Sequence, residues 1–207
     1  MRDTSDDEAM NAEDRMVVDG LAEVGIAVLS VYDLVNSRGA YPDAIPVLME
    51  MLRKVKHDRI KEGVARALTV KEARPIAVPV LIAEFQSASD ENDSQRVTKW
   101  TIGNALSVVA DDSAYEPIVA LLRDKKHGSA RDGLATALCN MKKHREQAVR
   151  HLIQLLDDAD VRVTAMMALG KLRVKAARSR VESFLEDPDP WVRREAKQAL
   201  AKIDKAR

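Results

Sequence analysis

The chain has 207 residues, its 33 Lys plus Arg match its 33 Asp plus Glu, and aromatics make up only 3%. This length can bury a sizeable core, while the zero net charge argues against a dedicated nucleic-acid or membrane-surface binder. Few aromatics beside many Ala, Leu and charged residues disfavour a β-sandwich or barrel, and the single Cys139 excludes an internal disulfide and reads as a small core residue.

The opening residues 1–23 hold eight acids and two bases, a net charge of −6, so the remainder carries +6. Residues 1–12 read as an acidic disordered tail. No apolar signal-peptide core follows, and no apolar run approaches the roughly 20 residues that span a bilayer, so a cytoplasmic protein is expected. From Val17 to Val35 apolar residues recur as Val17, Leu21, Val24, Val28, Val31, Leu34 and Val35. This predicts an N-terminal capping helix or helix pair over 13–38, covering the exposed side of what comes next.

What comes next repeats. A basic residue is followed, six residues on, by Ala-Leu: "KEGVARAL" at 61–68, "KWTIGNAL" at 99–106, "RDGLATAL" at 131–138, "RVTAMMAL" at 162–169 and "RREAKQAL" at 193–200. Each is preceded by an apolar helical stretch: "AIPVLMEML" at 44–52, "VPVLIAEF" at 78–85, "EPIVALL" at 116–122, "AVRHLIQLL" at 148–156 and "RVESFLED" at 180–187. Pro46, Pro79 and Pro117 stand near the starts of three of these, where a missing N–H costs no intrahelical bond. Turn signals such as "DDAD" and "DPDP" separate the two stretches of a unit. The predicted fold is all-α: a right-handed α-solenoid, or superhelix, of about five helix-turn-helix repeats. Their approximate limits within a repeat domain of 39–207 are 40–74, 75–113, 114–145, 146–175 and 176–207. In the fourth second helix Val161, Ala165, Ala168, Leu169 and Leu172 form the core stripe, as do Val192, Ala196, Ala199, Leu200 and Ile203 in the fifth.

The stretch "DPDPWVRREAKQAL" and its earlier copies resemble HEAT repeats, in particular the short bacterial variety similar to those of phycobilin lyases, over about residues 40 to 207. The second copy departs most, with its long polar turn "QSASDENDSQRV" and Trp100 beside the basic anchor. The resemblance implies a scaffold used for many purposes rather than one activity. It also implies that the basic column Lys61, Lys99, Arg131, Arg162 and Arg193 joins turn acids in a structural ladder, with Asp58, Asp160 and Asp189 as the acids just ahead of their cations. The competing reading of that column is a binding stripe.

Catalytic signals are sparse. None of His57, His127, His144 and His151 stands in a His-Glu dipeptide, the ligand arrangement of the di-iron hydroxylases built on this repeat, and no Gly-rich phosphate loop, nucleophile elbow or Cys-x-x-Cys occurs. No metal, cofactor or catalytic residue is implied, and the protein is expected not to be an enzyme. The alkylpurine DNA glycosylases of this repeat class match poorly, since Asn104 rather than Asp follows Trp100 by one turn.

Two surfaces remain. The off-stripe second-helix positions Trp100, Asn104, Asp132, Thr136, Val163 and Met167 are expected on a concave face with an apolar, polarizable middle, suited to a protein partner. Trp100 has the alternative of tucking into an inter-repeat groove, and Trp191 that of shielding the last layer. Residues 123–180 hold fourteen bases against six acids. Lys142, Lys143, Arg145, Lys171, Arg173 and Lys175 read as a basic ridge for nucleic acid or an acidic partner, or as complements of helix dipoles. The leading expectation is a monomeric protein-interaction scaffold or adaptor. Nucleic-acid or acidic-partner binding through the ridge and a lyase-like chaperone are the alternatives.

Overall fold

A computed structural model describes residues 4–37 and 39–205; the parts of the expected tail, cap and last repeat at 1–3, 38 and 206–207 lie outside the described residues. All regular structure among the described residues is helical, and the chain divides into two compact units, residues 1–109 and 110–207. The sequence pattern had suggested one repeat domain after a separate cap. The cap helices pack on the first helix pair and fall with the first two pairs in one unit.

In the first unit, α1 spans Thr4–Glu23 and α2 Val31–Val35. Helix α1 runs through residues 4–12, expected as a disordered tail, where Asp6 stands 3.3 Å from His57 Nε2, and its later acids serve as hydrogen-bond acceptors. The Glu13 carboxylate accepts the Lys56 and His57 backbone N–H groups at 2.9 and 2.8 Å, and Asp14 accepts the Val31 N–H at 3.1 Å. Val17 and Leu21, fully buried, pin the same helix to the core. Its C-terminal turn closes through Gly25 at φ +80°, a conformation that glycine adopts without steric cost.

Two helix pairs complete this unit: α3 (Ala44–Lys54) with α4 (Asp58–Ala67), and α5 (Val78–Ser87) with α6 (Asp93–Val109). Helix α3 buries Ile45, Leu48, Met51 and Leu52 at helical spacing, each fully buried aliphatic side chain contributing about 1.5–3 kcal/mol. Helix α2 lies so close to α4 that a Cβ on Gly63 would stand 2.7 Å from Val31 Cγ1.

The second unit holds three pairs: α7 (Tyr115–Arg123) with α8 (Asp132–Ala137), α9 (Arg145–Gln154) with α10 (Arg162–Lys171), and α11 (Arg178–Glu182) with α12 (Pro190–Ile203). The expected stripes are buried on α10 and α12, save for Leu172, which is half-buried. Small residues let these two helices approach: a Cβ on Gly170 would meet Ala199 Cα at 2.9 Å. Asp189 caps α12 by accepting the Trp191 N–H at 2.8 Å.

The basic column is structural, but its rungs differ from the sequence expectation. Arg131, fully buried, gives its Nε–H to Gly128 O, one Nη1–H to Leu122 O, and its remaining N–H groups to Asp158 and Asp160. Those acids belong to the following repeat. Arg162 donates to Leu156 O at 2.9 Å and stands 3.6 Å from Asp187, again one repeat ahead. Arg193 takes the carbonyls of Asp187 and Pro188, at 2.7 and 2.8 Å. In the first unit Lys61 reaches Glu84 at 2.6 Å, whereas Lys99 turns back to Asp90 of its own repeat at 3.2 Å. Each arginine closes the end of its own repeat's first helix through free carbonyls there. The acid expected just ahead of each cation is mostly occupied elsewhere: Asp189 caps α12, and Asp160 serves the preceding repeat's arginine.

Candidate functional site

On α6 the stripe facing the core leaves an opposite face of Val97, Trp100 and Asn104, spaced three and four residues apart. Trp100 is 42% exposed, so it does not tuck into a groove; Val97, one turn earlier, is 48% exposed. Sequence reasoning missed Val97, although its position three residues before Trp100 was the available signal. Asn104 is half-buried. On the neighbouring α4 the corresponding Glu62 and Arg66 pair with each other, and Glu62 also accepts the Tyr32 hydroxyl at 2.8 Å.

In the second unit the candidate residues lie on α8 and α10. Met167 is 47% exposed in mid-helix, and Val163, one turn before it, is half-buried. The two polar candidates of α8 are engaged internally. Asp132 accepts the Thr164 hydroxyl of α10, and Thr136 gives its hydroxyl proton to Asp132 O at 3.1 Å. Burial pushes the Asp132 carboxyl above the usual carboxylate range, against the opposing pull of Thr164 and Arg131. This face is therefore apolar where it is open. Trp191, in the first turn of α12, is 54% exposed, so shielding the last layer does not bury it.

The basic ridge is a physical cluster of the second unit. Lys142 and Lys143 precede α9, which Arg145 opens; Lys171 ends α10, and Arg173 and Lys175 follow it before α11; all six are exposed. Arg145 ties the two groups together by donating to Leu172 O at 2.9 Å. Lys171 and Arg145 also act on Cys139, whose thiol burial pushes up while these cations pull it down. Among the described residues no ion pair holds any of the six. Helix-dipole complementarity accounts for Lys171 in the last turn of α10, but not for the loop cations. Arg173 stands out further with φ +54°: it occupies the left-handed position of the turn that closes α10, where glycine is the usual occupant.

The histidines make no metal centre: among the described residues no group of three His, Cys, Asp or Glu side chains could hold an ion. His144 stacks on Tyr115 with ring centroids 4.3 Å apart, and His151 tilts toward the same ring at 6.2 Å. No helix among the described residues is long and apolar enough to cross a membrane.

Paired helices whose Ala-Leu stripes are buried within each unit define an all-α helical-repeat protein. Residues 149–207 match the family model of HEAT repeats. No curated protein matches. Among solved structures, a designed armadillo repeat protein is similar over 90% of this chain and 99% of its own, at 15% identity and a TM-score of 0.44.

Proposed function

We propose that the protein is a non-enzymatic interaction module that binds a protein partner through the open faces of its second helices. The observation that carries this reading is the exposure of Trp100 and Met167 in mid-helix, on α6 and α10, opposite faces that are fully buried. Large apolar side chains on rigid helices order little on binding and suit an interface core. Asn104 flanks Trp100 in the first unit; in the second, Val163 lies one turn before Met167, and Asp132 and Thr136 on α8 are held by internal hydrogen bonds. The test is an affinity capture with native extract, with and without nuclease, repeated with Trp100→Ala and with Met167→Glu. A protein retained after nuclease and moderate salt should be lost on Trp100→Ala by about 2 kcal/mol, roughly 30-fold in affinity. Unchanged retention by both folded variants sinks the reading.

The ridge supports a second reading, a phosphate-rich or acidic partner, because its six cations have no acidic partner among the described residues and Arg173 holds its place against backbone strain. Affinity would then fall steeply with salt, and Lys142→Glu with Lys143→Glu would abolish it. A partly apolar interface would lack that slope.

A further inference from the structure

The outer seam of the second unit is built differently from its neighbour. Between α9 and α11, Arg180 crosses to Asp157 at 2.6 Å. Between α7 and α9 no ion pair crosses among the described residues. One end of that seam is closed by the Tyr115–His144 stack. The other end is hollow: a cavity of about 220 Å³ opens there, with a largely apolar lining.

Its floor is Val119 and Leu122 of α7 with Leu155 beyond α9, and its rim carries Arg123, Lys125 and His151. Each of the two acids that also reach it has an ion-pair partner, Asp158 in Arg131 and Asp157 in Arg180, and Lys125 acts on Asp158 at longer range. Arg123 and Lys125 have no ion-pair partner among the described residues; Glu116 and Arg150 are the further charges that act on His151, with opposite signs. Burial, and then Arg123, hold His151 below its usual range, so its ring is uncharged at neutral pH and offers a flat apolar face. A dry cavity of about 150 Å³ holds benzene, so this one has room for an aromatic ring with a short substituent. An apolar floor with a few convergent polar groups is the ordinary form of a small-molecule site.

We infer that this cavity binds a small aromatic carboxylate, its ring between Leu122, Leu155 and the His151 imidazole and its carboxylate against Arg123 and Lys125. The apolar floor supplies shape, and the two unpaired cations select the anion over its neutral analogue. The site is separate from both surfaces proposed above, and its occupation does not depend on either.

The test is a calorimetric or NMR titration of the full chain with phenylacetate and, in parallel, with neutral phenylacetamide. Phenylacetate should saturate one site, with the amide weaker by about fivefold or more, a charge preference appropriate to partly exposed cations. Arg123→Glu with Lys125→Glu alters exposed side chains, so the fold should survive by circular dichroism while the preference for the acid disappears. Lys142→Glu with Lys143→Glu should leave phenylacetate binding unchanged. The inference is overturned by no saturation up to about 10 mM, an affinity too weak to count as a site. Equal binding of acid and amide, indifference to the Arg123 and Lys125 changes, or loss in the Lys142 and Lys143 variant would each overturn it too.

Discussion

The two units use the same slot of the same repeat for one purpose with different chemistry. In the second unit the slot holds arginine, and one buried guanidinium at Arg131 closes a helix end and grips two acids of the next repeat. In the first unit the slot holds lysine, and each ammonium reaches one carboxylate, Glu84 from Lys61 and Asp90 from Lys99. Lysine has no planar fork with which to serve carbonyl and carboxylate together. The first unit has a different polar device in α1, whose Glu13 and Asp14 accept the backbone N–H groups of Lys56, His57 and Val31. The second unit thus satisfies helix-end carbonyls and turn acids with one fork, while the first pairs single charges within its repeats and adds acceptors from a helix outside them.

That contrast breaks most sharply at its centre. Arg131→Ala strands Asp158 and the Leu122 carbonyl in a dry layer and should cost the second unit about 3–5 kcal/mol in urea unfolding. Lys61→Ala should cost the first unit less, about 1.5–3 kcal/mol, since a single charged hydrogen bond is lost. Equal losses would show that the arginine fork carries no advantage. Gly170→Ala probes packing without charge: the new methyl meets the α12 backbone, so about 1–3 kcal/mol should be lost by the same measurement.

The two aspartates near Arg131 separate by pH. Hydrogen bonding to Arg131 holds Asp158 below its usual range, so its stabilisation is present above the unfolded carboxylate pKa and disappears as pH falls through the lower folded value. Asp158→Asn should therefore lower stability at neutral pH and flatten the acid limb. Asp132 is shifted the other way by burial, so its ionised form is the unfavourable one, and that cost grows as pH rises past the unfolded pKa. Asp132→Asn should leave neutral-pH stability unchanged or raise it by up to about 1 kcal/mol, seen as a higher midpoint in pH-dependent urea melts. The smallest effect is expected at Arg173→Gly, which relieves the left-handed backbone by about 1 kcal/mol and should raise the thermal midpoint of the second unit. If the ridge binds an acidic partner, the same change weakens that binding.

Much of the fold was legible because the repeat writes its core twice over. The Ala-Leu pairs of "RVTAMMAL" and "RREAKQAL" mark both the period and the buried stripe, and Ala165, Leu169, Ala196 and Leu200 are all in the core. The acidic opening misled because composition reports the absence of an apolar core, not the presence of backbone donors elsewhere that carboxylates can satisfy. Glu13 gives no local sign that Lys56 and His57 need an acceptor 43 and 44 residues away. The exposure of Trp100 and Met167 followed from helical phase alone. The hollow between α7 and α9 did not, since a missing contact leaves no mark in either helix.

The forward reach of the arginine rungs gives the second unit a direction. Arg131 is enclosed only when the turn carrying Asp158 and Asp160 has arrived, and Arg162 needs the turn carrying Asp187. Arg193 asks nothing of a later repeat, because carbonyls of its own turn hold it. During synthesis each new repeat thus completes the one before it, as a latch closes a box already packed. Chain shortened from its C-terminal side would lose more than the repeat removed, because the preceding cation would lose its acid and the layer it closes would open to water.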